Sequence, residues 1–267
     1  MRRLWAVIAF AMLWLCAGSC FAQTDDAPDE GWRFTITPYF LAASLDGKTG
    51  VNGIIADLDV PFSDILDKLD AGFMTFATAR KGRWFAGFDA MYFKLSGAKS
   101  FELDGPFGNV TIDGAVDVTV KQQFYEPALG YRVFDANQSA VTLDVYAGAR
   151  YTSIETQATL TASAPFPSFP GGSTSNGGDV TWWDPLVGVR ALAPFANHFF
   201  ADMLVDFGGF GVGCDVTYQW MASVSWQFSK PVSVAVGYRY LDQDYDQDGF
   251  VYDMAMAGLI TGVTVTF

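Results

Sequence analysis

The chain has 267 residues, of which 51% are hydrophobic and 16% aromatic. This composition suffices for one large folded domain and excludes an intrinsically disordered protein. Acidic residues outnumber basic ones 29 to 16, giving a formal net charge of −13. Because nucleic-acid binding requires a basic surface, we expect no nucleic-acid partner.

The first thirty residues predict export from the cytoplasm. Arg2 and Arg3 precede an apolar stretch over residues 4–15, and small residues follow up to Ala22. This is the three-part layout of a secretory signal, too short to cross a bilayer as a helix. We expect residues 1–22 to be a signal peptide cleaved after Ala22, residues 23–31 a periplasmic tail and residues 32–267 the folded domain. Cleavage as a lipoprotein before Cys20 is the alternative, disfavoured because Ala17 replaces the usual leucine.

Hydrophobic residues alternate with polar ones over long stretches. Residues 216–228 show the pattern most clearly, with one parity that is almost wholly apolar: Val216, Tyr218, Trp220, Ala222, Val224, Trp226 and Phe228. Residues 141–151 and 232–240 repeat it. A period of two predicts β-strands with one apolar and one polar face.

Alternating strands occur both in soluble β-sandwiches and in membrane β-barrels. The apolar faces here end in Trp or Tyr, as interfacial girdles do, and the strands are long for a sandwich. The opposite parity carries Gly, Ser, Thr and charged residues, which a sandwich core would not bury. We therefore predict an all-β protein, a transmembrane antiparallel up-and-down β-barrel in a Gram-negative outer membrane.

Short and long connections alternate along the chain and predict the strand number. Four short connections are periplasmic turns and five longer ones face outward: the turns are residues 81–83, 135–138, 195–198 and 229–231, and the outer connections are 46–70, 97–114, 164–181, 208–213 and 242–249. This pattern predicts ten strands, or eight if a glycine-rich connection is a bulge. Ile65, Leu66 and Leu69 predict one amphipathic turn, which we expect to pack on the barrel rim.

The final residues resemble the C-terminal assembly signal of bacterial outer-membrane barrels. Val263, Val265 and Phe267 share one parity and end the chain on an aromatic residue. The resemblance implies that the barrel assembly machinery is a partner through this strand.

The sequence as a whole resembles a family of uncharacterised proteobacterial outer-membrane β-barrels, small and porin-like, of about this length. The matching segments span nearly the whole predicted domain: Trp32, Pro38-Tyr39, residues 62–66, 82–84 with Asp89, 130–132, 148–151, 183–188, 206–213, 237–240 and Phe267. The resemblance implies an outer-membrane barrel and assigns no catalytic or ligand-binding residue.

Charged residues on the polar parity are predicted to face the lumen. They comprise six of each sign: Arg33, Arg80, Arg132, Arg150, Arg190, Arg239, Asp89, Glu126, Asp144, Asp184, Asp202 and Asp206. A ten-stranded barrel has little internal space. One interpretation is a plugged lumen of mutually satisfied ion pairs. The other is a narrow channel for small solutes, with Arg150, Asp184, Asp206 and Arg239 near the outer mouth.

Most remaining carboxylates fall in the outer connections. We expect contact with outer-membrane lipid and lipopolysaccharide there, bridged by Ca²⁺ or Mg²⁺. The alternating residues Asp242, Asp244, Asp246 and Asp248 resemble the opening of a calcium loop, but Ala255 stands where an EF-hand needs Glu. The pattern predicts at most a weak surface cation site and no other cofactor.

Catalysis is not predicted. The single histidine, His198, falls in a periplasmic turn, away from any Ser or Asp grouping that could form a catalytic site. Cys214 falls at a strand start on the apolar parity, so we expect it to be a packed or lipid-facing apolar residue rather than a reactive thiol.

Overall fold

A computed structural model describes residues 31–51, 53–104, 111–135, 141–163 and 172–267. The predicted signal peptide and nearly all of the predicted periplasmic tail lie outside these residues. Among the described residues, none of the helical segments is long and apolar enough to cross a membrane.

Eleven antiparallel strands form one sheet that closes on itself. They are β1 (Trp32–Val51), β2 (Ile54–Val60), β3 (Leu69–Lys81), β4 (Trp84–Asp104), β5 (Thr111–Asp135), β6 (Thr142–Ser163), β7 (Gly172–Ala196), β8 (Phe199–Gly209), β9 (Val216–Ser229), β10 (Val232–Gln247) and β11 (Phe250–Thr266), with helix α1 (Phe62–Lys68) between β2 and β3. From β3 to β11 each strand pairs with the next, and β11 pairs with β1. The ring is therefore an up-and-down β-barrel, as predicted.

Ten of these strands form the barrel wall. Strand β2 has seven residues and pairs only with the outer end of β1, from Leu45 to Val51. The lower part of β1 pairs instead with β3. The predicted ten-stranded wall is present, and β2 is a short hairpin added at its outer rim.

The predicted outer connections at 46–70, 97–114, 164–181 and 242–249 are too long, because strands continue into the described part of each. Residues 52, 105–110 and 164–171 of these connections lie outside the described residues. Strands β5 and β7 each have 25 residues, whereas about ten suffice to cross a membrane. The predicted connection at 46–70 consists of the end of β1, β2 and α1, and β10 runs on to a turn at Asp248 and Gly249. Continued hairpins satisfy the backbone hydrogen bonds that an irregular loop would leave to water.

An apolar belt surrounds the lower part of the wall. Large apolar side chains such as Leu129, Val236 and Leu259 face outward and are exposed. Stacked aromatic residues bound the belt on its outer side: Tyr125, Tyr151 and Trp183 form a row with ring centroids 6.1 and 5.0 Å apart. Trp84 and Tyr131 contact each other at the periplasmic end. Such girdles are typical of membrane interfaces.

Above the belt the two faces of the sheet exchange character. The outward side chains become polar, as in the Lys121–Glu155 pair, and the inward ones become apolar. Six inward residues pack together across the barrel and form what we call the aromatic cap: Ile154, Trp182, Cys214, Tyr245, Tyr252 and Met254. The extracellular part is therefore flattened like a sandwich, with β6 and β7 packed against β10 and β11.

A second apolar cluster, which we call the apolar layer, lies inside the barrel below the cap. Its buried members are Leu41, Ala43, Met91, Phe93, Phe124, Leu241, Met256 and Ile260. On β1, β4 and β10, the next inward-facing residues after Tyr39, Asp89 and Arg239 are Leu41, Met91 and Leu241. The apolar layer therefore covers the charged centre of the barrel from the extracellular side.

Candidate functional site: a charged lumen under an apolar cover

Arg150 is the most enclosed charged side chain of the lumen. It is 1% exposed, and its guanidinium donates from Nε to Glu126 Oε2 (3.0 Å), from Nη2 to Asp206 Oδ1 (2.9 Å) and from Nη1 to Thr217 Oγ1 (2.8 Å). The three acceptors lie on β5, β8 and β9. Because the planar guanidinium serves three strands at once, it fixes their separation across the lumen.

Arg239 extends this arrangement to the opposite wall. Its Nη1 donates to Asp89 Oδ2 (2.6 Å) and to the Tyr39 hydroxyl (2.8 Å), and its Nη2 donates to Gln219 Oε1 (2.8 Å). The Gln219 amide in turn donates to Glu126 Oε1 (3.0 Å) and to Asp206. One hydrogen-bonded unit, the central network, therefore joins both arginines and three carboxylates.

A separate set of ion pairs, the periplasmic network, lies nearer the chain termini. Asp144 accepts from Arg132 Nε (3.0 Å) and pairs with Arg80, while Arg190 Nε donates to Asp202 Oδ1 (2.9 Å). The arginine side chains here are 17–23% exposed. These pairs are therefore closer to water than those of the central network.

The structure brings ten of the twelve predicted lumen residues into ion pairs. They are Arg80, Asp89, Glu126, Arg132, Asp144, Arg150, Arg190, Asp202, Asp206 and Arg239. Asp184 is fully buried and instead accepts from Trp182 Nε1 (3.0 Å) and from the Cys214 backbone N–H (2.6 Å). Arg33 is exposed near the periplasmic end of β1, where it lies opposite Arg80 in the ladder.

The predicted lumen residues include equal numbers of positive and negative charges, but the charges are not balanced at each height in the barrel. Four buried carboxylates lie at the height of the central network with two arginines: Asp89, Glu126, Asp184 and Asp206 with Arg150 and Arg239. The periplasmic network holds three arginines and three aspartates, because Arg132 also pairs with the more exposed Asp135 (3.7 Å). The described lumen is therefore acidic at its centre and balanced in charge toward the periplasm.

The predicted position near the outer mouth is wrong for Arg150, Asp184, Asp206 and Arg239. All four are at most 4% exposed and lie below the apolar layer and the aromatic cap. The strands continue outward well beyond their apolar faces. The outer opening of the barrel therefore lies farther from the membrane than these four residues.

Of the two predicted environments for Cys214, packed or lipid-facing, the structure shows the packed one. The residue lies before β9, in the connection that follows β8, and its side chain is fully buried in the aromatic cap. Glycines let this connection fold inward: a Cβ on Gly213 would lie 2.6 Å from Asp184 Oδ1, and Gly209 has a φ of +89°. A glycine-rich connection after a lumen-lining strand could have indicated this close approach.

The other candidate residues lie on the outside of the barrel. Asp242, Asp244 and Asp246 project outward from β10, and Tyr240 donates its hydroxyl proton to Asp242 (2.8 Å). Within the described ranges, three or more metal-ligating side chains are nowhere grouped closely enough to hold an ion. The weak cation site at Asp242, Asp244, Asp246 and Asp248 stays a prediction.

The last strand closes the ring. Phe267 N–H donates to the Phe34 carbonyl (2.8 Å), and Val265 lies opposite Ile36. Val263 and Phe267 are exposed. The assembly role of Val263, Val265 and Phe267 stays a prediction. His198 lies in the turn between β7 and β8, at the periplasmic end.

Four neutral residues of the central network were not among the predicted lumen residues: Tyr39, Tyr146, Thr217 and Gln219. A search for charges omitted all four. The alternation of residues 216–228 already placed Gln219 on the polar parity, and that signal was sufficient to find it.

An outward apolar belt, aromatic girdles and a polar lumen define a transmembrane barrel of the bacterial outer-membrane type. No protein-family model matches the chain, and no curated protein matches it. Among solved structures, the chain is similar to the outer membrane protease OmpT from Escherichia coli, with 10% identity and a TM-score of 0.50 over 92% of this chain and 99% of that one.

Two further barrels are similar at lower scores. Neisserial surface protein A has 15% identity and a TM-score of 0.35, covering 89% of this chain and 100% of that chain. The Pseudomonas putida toluene transporter TodX has 10% identity and a TM-score of 0.34, covering 90% of each. At these identities the similarity concerns the fold alone.

Proposed function

We propose that the protein is a non-conducting outer-membrane barrel that acts through its extracellular surface. The observation that carries this proposal is the double closure of the lumen. The charged groups of the central network are bonded to one another with little exposure, and two apolar clusters cover them.

Passage of an ion would have to disrupt both closures. Removing one partner of a buried ion pair costs about 3–5 kcal/mol, and each guanidinium of the central network has three acceptors. The apolar layer offers no polar group to replace the hydration shell of an ion. Both features favour a closed barrel over a narrow channel.

The extracellular sandwich supplies the surface through which such a barrel would act. Outward-facing carboxylates lie opposite one another in its ladders, as Asp46 lies opposite Asp59 and Asp244 opposite Asp253. We propose that this acidic face meets the phosphate-rich lipopolysaccharide with divalent cations between them, because direct contact of like charges would be repulsive.

Single-channel recording in a planar bilayer tests the closed lumen. The refolded chain, verified by heat-modifiable migration, is expected to give no stable conductance steps. Arg239→Ala removes the link between the two walls but leaves the apolar layer and the aromatic cap in place, so this variant should remain silent, as should Lys121→Ala, which changes only an exposed pair. Stable, ion-selective steps from the unsubstituted protein would overturn the proposal and establish a channel.

A further inference from the structure

The boundary between β1 and β3 is discontinuous. These strands pair only from Trp32 opposite Lys81 to Pro38 opposite Thr75, and β1 takes β2 as its partner from Leu45 onward. Residues 39–44 and 69–74, all described, have no strand partner on their facing edges. We call this gap the seam. By contrast, β4 and β5 pair along the full length of β4.

The seam lies at the outer girdle. Its lower end, at Pro38 and Thr75, is joined through Ala90 to the girdle residue Tyr125. Phe40 and Phe73 point outward from its two edges and are 40% and 60% exposed. The gap therefore opens at the outer boundary of the membrane, between exposed aromatic side chains.

The space behind the seam is apolar. Leu41 and Ala43 lie on one edge, Leu69 and Met74 pack from the other, and Met91 lies behind them in the apolar layer. Methionine side chains are flexible and rearrange around apolar ligands of different shape. This part of the interior suits an apolar molecule and repels an ion.

Helix α1 covers the outer end of the seam and is weakly held. It has seven residues, none of them buried, and no side-chain hydrogen bond at its N-cap. Phe62 packs edge-on against Phe40, with ring centroids 6.1 Å apart, and the Lys68 stem lies near Gly97. A helix this short has little stability of its own, and moving it would break no strand ladder.

We propose that the seam is a lateral opening through which apolar molecules dissolved in the outer leaflet reach the apolar layer, with α1 as its movable cover. This inference goes beyond the closed barrel proposed above, which concerns passage between the two aqueous sides. A barrel can be closed to ions along its axis and still exchange apolar molecules with the membrane.

Cysteine labelling in lipid vesicles tests the seam. In a Cys214→Ser background, Met91→Cys places a thiol behind the seam, and Leu204→Cys places a buried thiol behind the continuous β7–β8–β9 ladders. The probe is N-pyrenylmaleimide, which partitions into membranes. We expect Met91→Cys to react at least about tenfold faster, because local opening needs less free energy than opening a paired wall.

The cover is tested in the same assay. Phe62→Ala should increase the Met91→Cys rate several-fold and leave the Leu204→Cys rate unchanged, and Phe62→Leu should restore the slower rate. Ala43→Cys serves as a second reporter if Met91→Cys fails to show heat-modifiable migration. Equal rates at the two reporters, or rates insensitive to Phe62→Ala, would overturn the inference.

A charged, water-soluble methanethiosulfonate reagent separates this inference from the proposed function. The lateral route predicts that this reagent does not reach Met91→Cys. Rapid reaction would show access from water and would count against both proposals. Failure of pyrenylmaleimide labelling in a barrel that carries no current would overturn the seam alone.

Discussion

The same strands build two regions in which the apolar side chains face in opposite directions. In the membrane the sheet turns apolar side chains outward and charges inward, whereas above the membrane Trp182 and Tyr252 point inward and Lys121 and Glu155 outward. The alternation continues without interruption through the boundary. The surrounding medium therefore determines which set of alternate residues forms the core. Charged side chains face the interior only where the outside of the sheet contacts lipid.

The largest effect is expected from breaking the central network. Arg150→Ala leaves Glu126 and Asp206 buried without their cation and should cost about 3–5 kcal/mol of unfolding free energy. Urea unfolding in lipid vesicles measures it. A loss below 1 kcal/mol would show that water already reaches the network.

The aromatic cap offers a matched pair of adjacent residues. Trp182→Ala creates a cavity in the cap and should cost about 3–5 kcal/mol, while Trp183→Ala removes a girdle side chain that is 51% exposed and should cost less. The same unfolding assay compares them. Equal losses would mean that the cap is not a packed core.

A charge placed on the outward face should distinguish the two regions. Leu129→Arg lies in the apolar belt and should destabilise the barrel by up to about 2–4 kcal/mol, depending on its depth. Gln157→Arg lies on the outward face of the same sheet above the girdle and should be nearly neutral. Similar effects of the two substitutions would contradict the assigned membrane boundary.

The smallest effect is expected at the exposed Lys121–Glu155 pair. Lys121→Ala should leave the unfolding free energy almost unchanged, because water screens the exposed pair. High salt should reduce the difference further. A salt-insensitive loss comparable with that of Arg150→Ala would contradict the solvent exposure of this face.

Parity predicted the strands, the closed ring and the inward direction of Arg150, Asp206 and Arg239, because alternation is a local property of the chain. It could not predict the height along the strands at which the apolar face turns from the outside to the inside of the barrel. Trp182 and Trp183 are the same residue type and differ only in their surroundings. The inward path of Cys214 depends on contacts with Asp184, thirty residues away. Such contacts leave no periodic signal.

The seam also depends on long-range pairing that local alternation does not predict. Ile65, Leu66 and Leu69 predicted a short helical turn at the rim, and α1 spans Phe62–Lys68. The place where β1 leaves β3 depends on two partners, β2 and β3, that compete for the same edge of β1.

The ring closure also has a consequence for the order of folding. All other wall strands pair with a neighbour in sequence, but β1 meets β11 across more than 200 residues, and Arg239 reaches Tyr39 across the same junction, 200 residues away. A partly assembled sheet therefore leaves Arg239 without Tyr39 and leaves unpaired backbone groups on the facing edges of β1 and β11. Because these groups find their partners only when the first and last strands join, insertion and closure are expected to be one cooperative event, with no long-lived open sheet in the membrane.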